Sequence, residues 1–158
     1  MSLVIPQPVL KGKKALVVGV ANDSSIAYGC ARAFSELGAE LALSYLNEKA
    51  RPHVEPLARG LGARIFMPLD VSVPGEMEAL FGAIEKDWGQ LDILVHSIAW
   101  APKDDLQGGL LNCSAEGFAK AIDVSCHSFI RMARLAAPLM KEGGTMIAMS
   151  YLGANRVV

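Results

Sequence analysis

A short apolar run, a glycine and a helical pattern follow one another between Lys14 and Gly38. No other stretch constrains the fold as strongly. The run Ala15-Leu16-Val17-Val18 is typical of a strand buried on both faces. Gly19 permits a sharp turn and leaves no side chain in the way of a ligand. The helix predicted for residues 26–37 would direct backbone N–H groups and a positive dipole end towards that turn. The pattern predicts a phosphate site, which we interpret as one for a dinucleotide pyrophosphate.

This signal has limited specificity when it is taken alone. The usual Gly-x-Gly-x-x-Gly pattern is absent, because only Gly19 and Gly29 stand near the expected places. The small side chains of Ser24, Ser25 and Ala27 would let a phosphate approach the helix closely. A helix N-cap role for Ser24 or Ser25 explains the same residue types. Both interpretations of the two serines stay open at this point.

Strand and helix patterns alternate along the rest of the chain. Strands are predicted at 15–18, 40–45, 64–69, 91–96 and 145–149, and helices at 26–37, about 48–61, 75–88 and 114–140, with a loop at 97–112. Such alternation favours right-handed crossovers and a parallel sheet. The predicted fold class is therefore α/β, a Rossmann-type doubly wound parallel sheet with strand order 3-2-1-4-5. The loops after the first four strands then share one carboxyl edge, where ligands bind beside strand one.

Composition excludes several classes of protein. Hydrophobic residues make up 52% of the 158 residues and charged residues 20%, which is typical of a globular protein and not of a disordered one. The net charge of −1, without a cluster of Lys and Arg, argues against a nucleic-acid surface or a membrane-binding patch. No apolar run is long enough to span a bilayer. The length predicts a single domain over residues 1–158.

The cysteines and histidines do not indicate a metal site. Cys30, Cys113 and Cys126 are odd in number and widely spaced, which predicts buried thiols in a reducing cytoplasm. The three histidines show no ligand spacing, so no metal is expected. His96 ends the fourth predicted strand, and we interpret it as a hydrogen-bonded strand histidine rather than an acid or base.

Four motifs occur along the chain in a specific order. They are Gly19-Val20-Ala21-x-x-x-Ser25-Ile26-Ala27-Tyr28-Gly29, Asp70-Val71, His96-Ser97-Ile98-Ala99-x-Ala101-Pro102 and Ser150-Tyr151-Leu152-Gly153-Ala154. Together they resemble the bacterial enoyl-acyl-carrier-protein reductases, divergent short-chain dehydrogenases/reductases, over essentially the whole chain. The resemblance implies a cytoplasmic homotetramer of fatty acid biosynthesis. It would reduce the 2,3 double bond of enoyl thioesters on acyl carrier protein with hydride from NADH.

The resemblance implies coenzyme roles for eight residues on the predicted carboxyl edge. These are Gly19, Ser25 and Ile26 at the pyrophosphate, Leu46 at the adenosine, Asp70 and Val71 at the adenine, and Ser97 and Ile98 along the ribose and nicotinamide. Without the resemblance, Asp70 is as readily a turn former, and Leu46 is a core residue by default.

Two further residues match the substrate side of the family. Ala101 matches a backbone contact to the substrate, and Tyr151 matches the first of two family tyrosines, beside the reacting thioester. The second tyrosine and the lysine lie on the helix after strand five, and their motif would begin just beyond Val158. We therefore expect the chain to be an amino-terminal portion of such a reductase, to lack the last strands of the fold and to be inactive alone.

The sequence marks the choice of coenzyme only weakly. A carboxylate at the end of strand two would bind the ribose hydroxyls of NAD, and an arginine there would accommodate the extra phosphate of NADP. The segment Ser44-Tyr45-Leu46-Asn47 offers neither. The preference for NADH over NADPH therefore comes from the resemblance.

Two alternative functions stay open. One is a relative that reduces 3-oxoacyl thioesters; such relatives usually carry Asn-Asn-Ala-Gly after strand four and a serine at the position of Tyr151. This chain has His96-Ser97-Ile98-Ala99 there and a tyrosine, which favours enoyl reduction. The other alternative is a nucleotide-binding module without catalysis.

Overall fold

The computed structural model describes residues 8–107 and 109–156. Within them, five parallel strands form one sheet in the order β3-β2-β1-β4-β5. The strands are β1 (Lys14–Val18), β2 (Glu40–Tyr45), β3 (Ile65–Pro68), β4 (Ile93–His96) and β5 (Thr145–Ala148). The predicted fold class and strand order are confirmed, and the predicted strand ends differ by no more than two residues.

Six α-helices connect and flank the strands in the described part of the chain. They are α1 (Ile26–Glu36), α2 (Arg51–Gly60), α3 (Glu76–Trp88), α4 (Lys103–Leu106), α5 (Ala115–Ile122) and α6 (Ser128–Ala136). Short 3₁₀ turns follow at Leu110–Asn112, Ala137–Leu139 and Leu152–Ala154. The prediction of a loop over residues 97–112 was wrong in part, because this region contains α4. Pro102 precedes this short helix, and Asp104 and Asp105 occupy its first turn, where negative charge is favourable.

The single helix predicted for 114–140 is instead interrupted. A π-helical turn at Asp123–His127 separates α5 from α6, and a 3₁₀ turn ends the segment. The predicted N-cap is confirmed, since Ser114 Oγ accepts a hydrogen bond from the Gly117 N–H at 2.9 Å. A π turn is a rare interruption that spans only five residues here, and the segments on both sides of it have ordinary helical patterns, so the sequence does not reveal it.

Two hydrophobic clusters cover the two faces of the sheet, because successive residues of a strand point to opposite sides. Ala15 and Val17 of β1 pack with α1 and α2 on one face. Leu16 and Val18 pack with α3 and α6 on the other. All four side chains are fully buried, as predicted for a central strand. The sheet is thus doubly wound around β1 and β4.

Asp92 fixes the amino ends of three strands. Its backbone N–H donates to the Lys14 carbonyl at 2.9 Å, and its carbonyl accepts from the Thr145 N–H at 2.8 Å. Its carboxylate accepts from the Lys14 N–H at 2.9 Å and from Lys13 Nζ at 2.8 Å. Burial raises the pKa of the Asp92 carboxyl, but these hydrogen bonds outweigh burial, so its pKa lies below the ordinary value of 3.8.

The remaining sequence predictions on cysteines and membrane segments have mixed outcomes. The three cysteines are free thiols; Cys30 and Cys113 are partly buried, whereas the prediction of burial was wrong for Cys126, which is exposed. Cys126 falls in the π turn, which shifts its side chain relative to a regular helix. Across the ranges 8–107 and 109–156, no helix is long and apolar enough to cross a membrane, and no cluster of His, Cys, Asp and Glu has metal-ligating geometry.

Substitution of Asp92 by asparagine tests this strand anchor. A carboxylate whose folded-state pKa is depressed contributes stability that is present above the unfolded-state pKa and lost as the pH falls through the folded-state pKa. We expect Asp92→Asn to lower the free energy of unfolding at neutral pH by about 1 kcal/mol. The difference should shrink towards zero as the pH falls well below 3.8. Urea unfolding across that pH range measures both effects.

Glu85→Gln is the matched control, because Glu85 is an exposed carboxyl on α3. Its stability should follow the wild type at every pH. A constant deficit of Asp92→Asn down to the lowest pH would contradict a role for the Asp92 charge.

Candidate functional site

The carboxyl ends of β1 to β4 open into a cleft of about 600 Å³. Its walls come from the ends of the first four strands, the loops that follow them and one helical segment. The lining comprises residues 19–21 after β1, Ser44, Leu46 and Ala50 at the end of β2, 69–72 after β3, 97–100 after β4, and Lys120 and Val124. This is the position predicted for a ligand, at the point where the strand order reverses beside β1.

The cleft brings together six of the residues singled out by the sequence. These are Gly19, Leu46, Asp70, Val71, Ser97 and Ile98. Ser25 and Ile26 lie at the start of α1 and Ala101 follows the β4 turn, all outside the lining. Tyr151 also lies outside it and is 70% exposed. The Tyr151 ring lies against Gly153, where an added Cβ would be 2.8 Å from Cδ1.

Gly19 is required by its contact with the chain after β4. Its φ of 100° belongs to the left-handed region that favours glycine. A Cβ at this position would overlap the Ser97 carbonyl and lie 2.6 Å from its carbonyl carbon. The Ser97 N–H in turn donates to the Val18 carbonyl at 3.1 Å. The sequence analysis explained the glycine by the access that it gives to a ligand. The close packing of the Gly19 backbone against the Ser97 backbone is a second reason for a glycine at this position.

The turn before α1 is closed by its own polar groups. Ser25 occupies the N-cap position, but its hydroxyl donates to the Asn22 carbonyl at 2.6 Å and does not cap the helix. The Asn22 side chain accepts from the Ser24 N–H at 3.0 Å. The N-cap interpretation is thus right in position and wrong in hydrogen bonding. The first turn of α1 carries neither a capping side chain nor an acidic residue, so it suits an anion.

The loop after β3 is held by two carboxylates. Asp70 Oδ1 accepts from the Ser72 N–H at 2.8 Å, which is the turn-forming role that its residue type favours. Its own N–H donates to Glu76 Oε2 at 2.6 Å, at the start of α3. Asp70 therefore shapes the loop and also lines the cleft. Val71 is buried beside it.

Leu46 is exposed, although the default interpretation of an apolar residue places it in the core. Its side chain is 54% exposed and lines the cleft. The chain turns immediately afterwards, because Asn47 Oδ1 accepts from the N–H groups of Lys49 and Ala50, both at 3.1 Å. The core interpretation was wrong since β2 has already ended at Tyr45.

Sequence reasoning missed the contact that positions the turn after β4. Ser125 Oγ donates to the Trp100 carbonyl at 3.1 Å and accepts from the Trp100 N–H at 3.0 Å. Ser125 lies in the π turn, and π turns often occur at functional sites. A serine within a helical pattern gives no signal of such a role. The double contact holds Trp100 at the rim of the cleft.

A sequence profile of the family described as "Enoyl-(Acyl carrier protein) reductase" matches residues 19–158. The chain belongs to the enoyl-acyl-carrier-protein reductase family. It is 44% identical over 151 residues to the enoyl-acyl-carrier-protein reductase (NADH) of Aquifex aeolicus, covering 95% of this chain and 56% of that protein. It is 42% identical over 150 residues to the corresponding reductase (NADH) of Haemophilus influenzae, covering 94% of this chain and 57% of that protein.

A solved structure of a family relative has the same architecture. The enoyl-acyl-carrier-protein reductase of Anaplasma phagocytophilum, in complex with NAD, superimposes with a TM-score of 0.91 at 39% identity. The superposition covers 99% of this chain and 60% of the Anaplasma protein. This member of the reductase family thus spans a little over half the length of the relatives that it matches.

In this reductase-family chain, His96 does not face the cleft as an acid or base. Its Nε2 lies 2.6 Å from Ser128 Oγ, and both side chains are buried. The Ser128 hydroxyl donates to the Val124 carbonyl at 2.7 Å, so it accepts from His96, whose Nε2 carries the proton. Burial lowers the pKa of His96 and favours the neutral ring. The interpretation of a hydrogen-bonded strand histidine is confirmed.

Two glycine-to-alanine substitutions test the packing of the turn after β1. Gly19→Ala should lower the free energy of unfolding by about 2–5 kcal/mol, because the added Cβ meets the Ser97 backbone and the φ is unfavourable. Gly29→Ala is the matched control, because Gly29 lies within α1 and nothing is near the position of its added Cβ. This substitution should raise the free energy of unfolding by up to about 1 kcal/mol. Urea unfolding measures both, and equal stabilities for the two variants would contradict the contact.

Proposed function

We propose that this chain forms the coenzyme-binding part of an enzyme that reduces the 2,3 double bond of enoyl-acyl-carrier-protein thioesters with NADH, in fatty acid biosynthesis. The observation that carries the proposal is the cleft at the β1–β4 edge, in a chain 44% identical to an enoyl-acyl-carrier-protein reductase (NADH). Gly19 turns the chain there, and the start of α1 carries no capping side chain. Such an edge suits a dinucleotide.

The coenzyme would extend along the strand ends. Its pyrophosphate would bind at the start of α1, with Gly19, Ser25 and Ile26, because a helix N-terminus attracts an anion. Its adenosine would lie beside Leu46, with the adenine against Asp70 and Val71. Its nicotinamide half would follow Ser97 and Ile98. Six of these eight residues line the cleft, and Ser25 and Ile26 flank it at the helix start.

The substrate would approach from the β4–β5 side. Bound NADH would supply a hydride to the β-carbon of the enoyl thioester. The main chain of Ala101 would contact the substrate, and the Tyr151 hydroxyl would lie beside the thioester carbonyl. Donors placed at a carbonyl oxygen stabilise the negative charge that develops there. The ring of Tyr151 keeps its position against Gly153, which has no side chain to displace it.

The 158 residues alone should have negligible turnover. In the family the developing charge also needs a second tyrosine and a lysine from a helix after strand five, and these 158 residues do not supply that motif. The whole enzyme would act in the cytoplasm as a homotetramer. Large apolar side chains are exposed on helices α5 and α6: Phe118 and Ile122 on α5, and Ile130 on α6. Exposed apolar surface of this kind supports such an assembly.

The proposal is tested with the complete polypeptide encoded by the gene. NADH consumption is followed with a crotonyl thioester and, in parallel, with an acetoacetyl thioester. We expect turnover with the crotonyl substrate and little with the acetoacetyl one. The reverse preference would favour a 3-oxoacyl reductase, and tight NADH binding without turnover of either would favour a non-catalytic module.

The end of β2 offers a test of coenzyme choice. Leu46→Arg places a guanidinium beside the proposed adenosine ribose, where it would pair with the 2′-phosphate of NADPH. We expect the ratio of the NADPH to the NADH dissociation constant to fall by about tenfold. Leu46→Met is the volume-matched control and should leave the ratio unchanged. Isothermal titration calorimetry with both coenzymes measures it, and an unaltered ratio in Leu46→Arg would place the ribose elsewhere.

A further inference from the structure

Lys120 bridges two separate walls of the cleft. It projects from α5 on the α3/α6 side of the sheet, and its Nζ donates to Ser72 Oγ at 3.0 Å. Ser72 lies 48 residues earlier, in the loop after β3. Both residues line the cleft. The bond therefore joins two walls of the cleft, a helix and a loop, that are far apart in sequence.

Lys120 forms no ion pair within 4.0 Å in the described residues. Asp123, on the next turn, pairs with His127 and Arg131. The hydrogen bond from His127 lowers the pKa of the Asp123 carboxyl, and the charges of Arg131 and Lys120 add to this effect.

Among the described residues that line the cleft, Lys120 is the single cation and Asp70 the single anion. An ammonium has three N–H donors, and the Ser72 hydroxyl takes one of them. The other two donors belong to a residue that lines the cleft and also borders a second depression, which contains Asp105, Glu116 and Asp123.

The chemistry of this end matches an adenine base. Apolar side chains of Val71 and Val124 line it and suit the faces of a planar ring. The edge of adenine carries both an amino donor and ring-nitrogen acceptors. The Asp70 carboxylate only accepts hydrogen bonds, and the Lys120 ammonium only donates them, so the pair offers partners of both kinds. A cation also binds favourably over an aromatic face.

Position along the sheet separates the base from the pyrophosphate. Ser72 follows β3, which is two strands from β1, or roughly 10 Å along the sheet edge. The pyrophosphate is assigned to the helix start that follows β1. The bond to Ser72 therefore keeps the Lys120 ammonium near the adenine end of the coenzyme, away from the helix start that would bind the central pyrophosphate.

We propose that Lys120 is a binding residue for the adenine base of the coenzyme, directed into the cleft by its hydrogen bond to Ser72. The inference rests on the proposed function, because it requires the cleft to take a nicotinamide adenine dinucleotide. It adds a contact from α5 to the contacts already assigned to the strand-end loops. Removal of the ammonium should weaken coenzyme binding without altering the chemical step.

The test uses the complete gene product and three variants. Lys120→Met removes the charge and keeps the length, Lys120→Arg keeps a cation, and Lys86→Met removes an exposed lysine of α3 away from the cleft. We expect Lys120→Met to raise the calorimetric dissociation constant of NADH by about three- to tenfold. Lys120→Arg should stay within about twofold of the wild type, and Lys86→Met should not change it. The KM for NADH should rise in Lys120→Met while kcat is retained.

Adenosine, which lacks phosphate, locates the contact. Its inhibition constant in competition with NADH should rise in Lys120→Met by the same factor as the NADH dissociation constant. A change for NADH without a change for adenosine would place the ammonium at a phosphate and overturn the assignment. Unchanged binding with a lowered thermal midpoint would reduce Lys120 to a structural tether. Failure of the wild type to bind NADH would contradict the proposed function itself; failure confined to the Lys120 variants would leave that function standing.

Discussion

The backbone of Gly19 lies against the backbone of Ser97, and the geometry of the whole carboxyl edge depends on this contact. β1 and β4 are neighbours in the sheet, and the segments that follow these two strands diverge immediately after the contact between Gly19 and Ser97. The chain after β1 enters α1, which packs on one face, whereas the segment after β4 leads to α5 and α6, of which α6 packs on the other. A cleft must open where two neighbouring chains leave towards opposite faces. A side chain at residue 19 would force the two turns apart.

Each loop at this edge is shaped by hydrogen bonds of its own. Ser25 bonds back to Asn22, the Asp70 carboxylate bonds forward to Ser72, and Ser125 binds both polar groups of the Trp100 backbone. The loops therefore do not need a ligand to acquire their conformation. Such preorganisation lowers the entropy that binding must otherwise cost. Because Ser25 bonds back to Asn22, no side chain caps the first turn of α1. A phosphate would be most strongly stabilised at this helix start.

The sheet was predictable from the sequence because its signals are local. An apolar run such as Ala15–Val18 and the regular alternation of strands and helices determine the class and the strand order. The π turn was not predictable, since it is a rare single-turn interruption between two segments that each have an ordinary helical pattern. Lys120 gave no signal because a lysine on a helix is normally solvated. The roles of Ala101 and Tyr151 came from family resemblance alone, and the geometry of the described residues leaves them outside the cleft.

The central claim is that the cleft beside β1 holds a dinucleotide. A crystal structure of the complete protein with NADH tests it most directly. The account predicts the pyrophosphate at the backbone N–H groups of the first turn of α1, the adenine against the residue 70–72 loop and the nicotinamide half along Ser97 and Ile98. Coenzyme density elsewhere, such as the depression that contains Asp105 of α4 and Glu116 of α5, would contradict it. A cleft filled by the protein's own side chains in the presence of saturating NADH would contradict it as well.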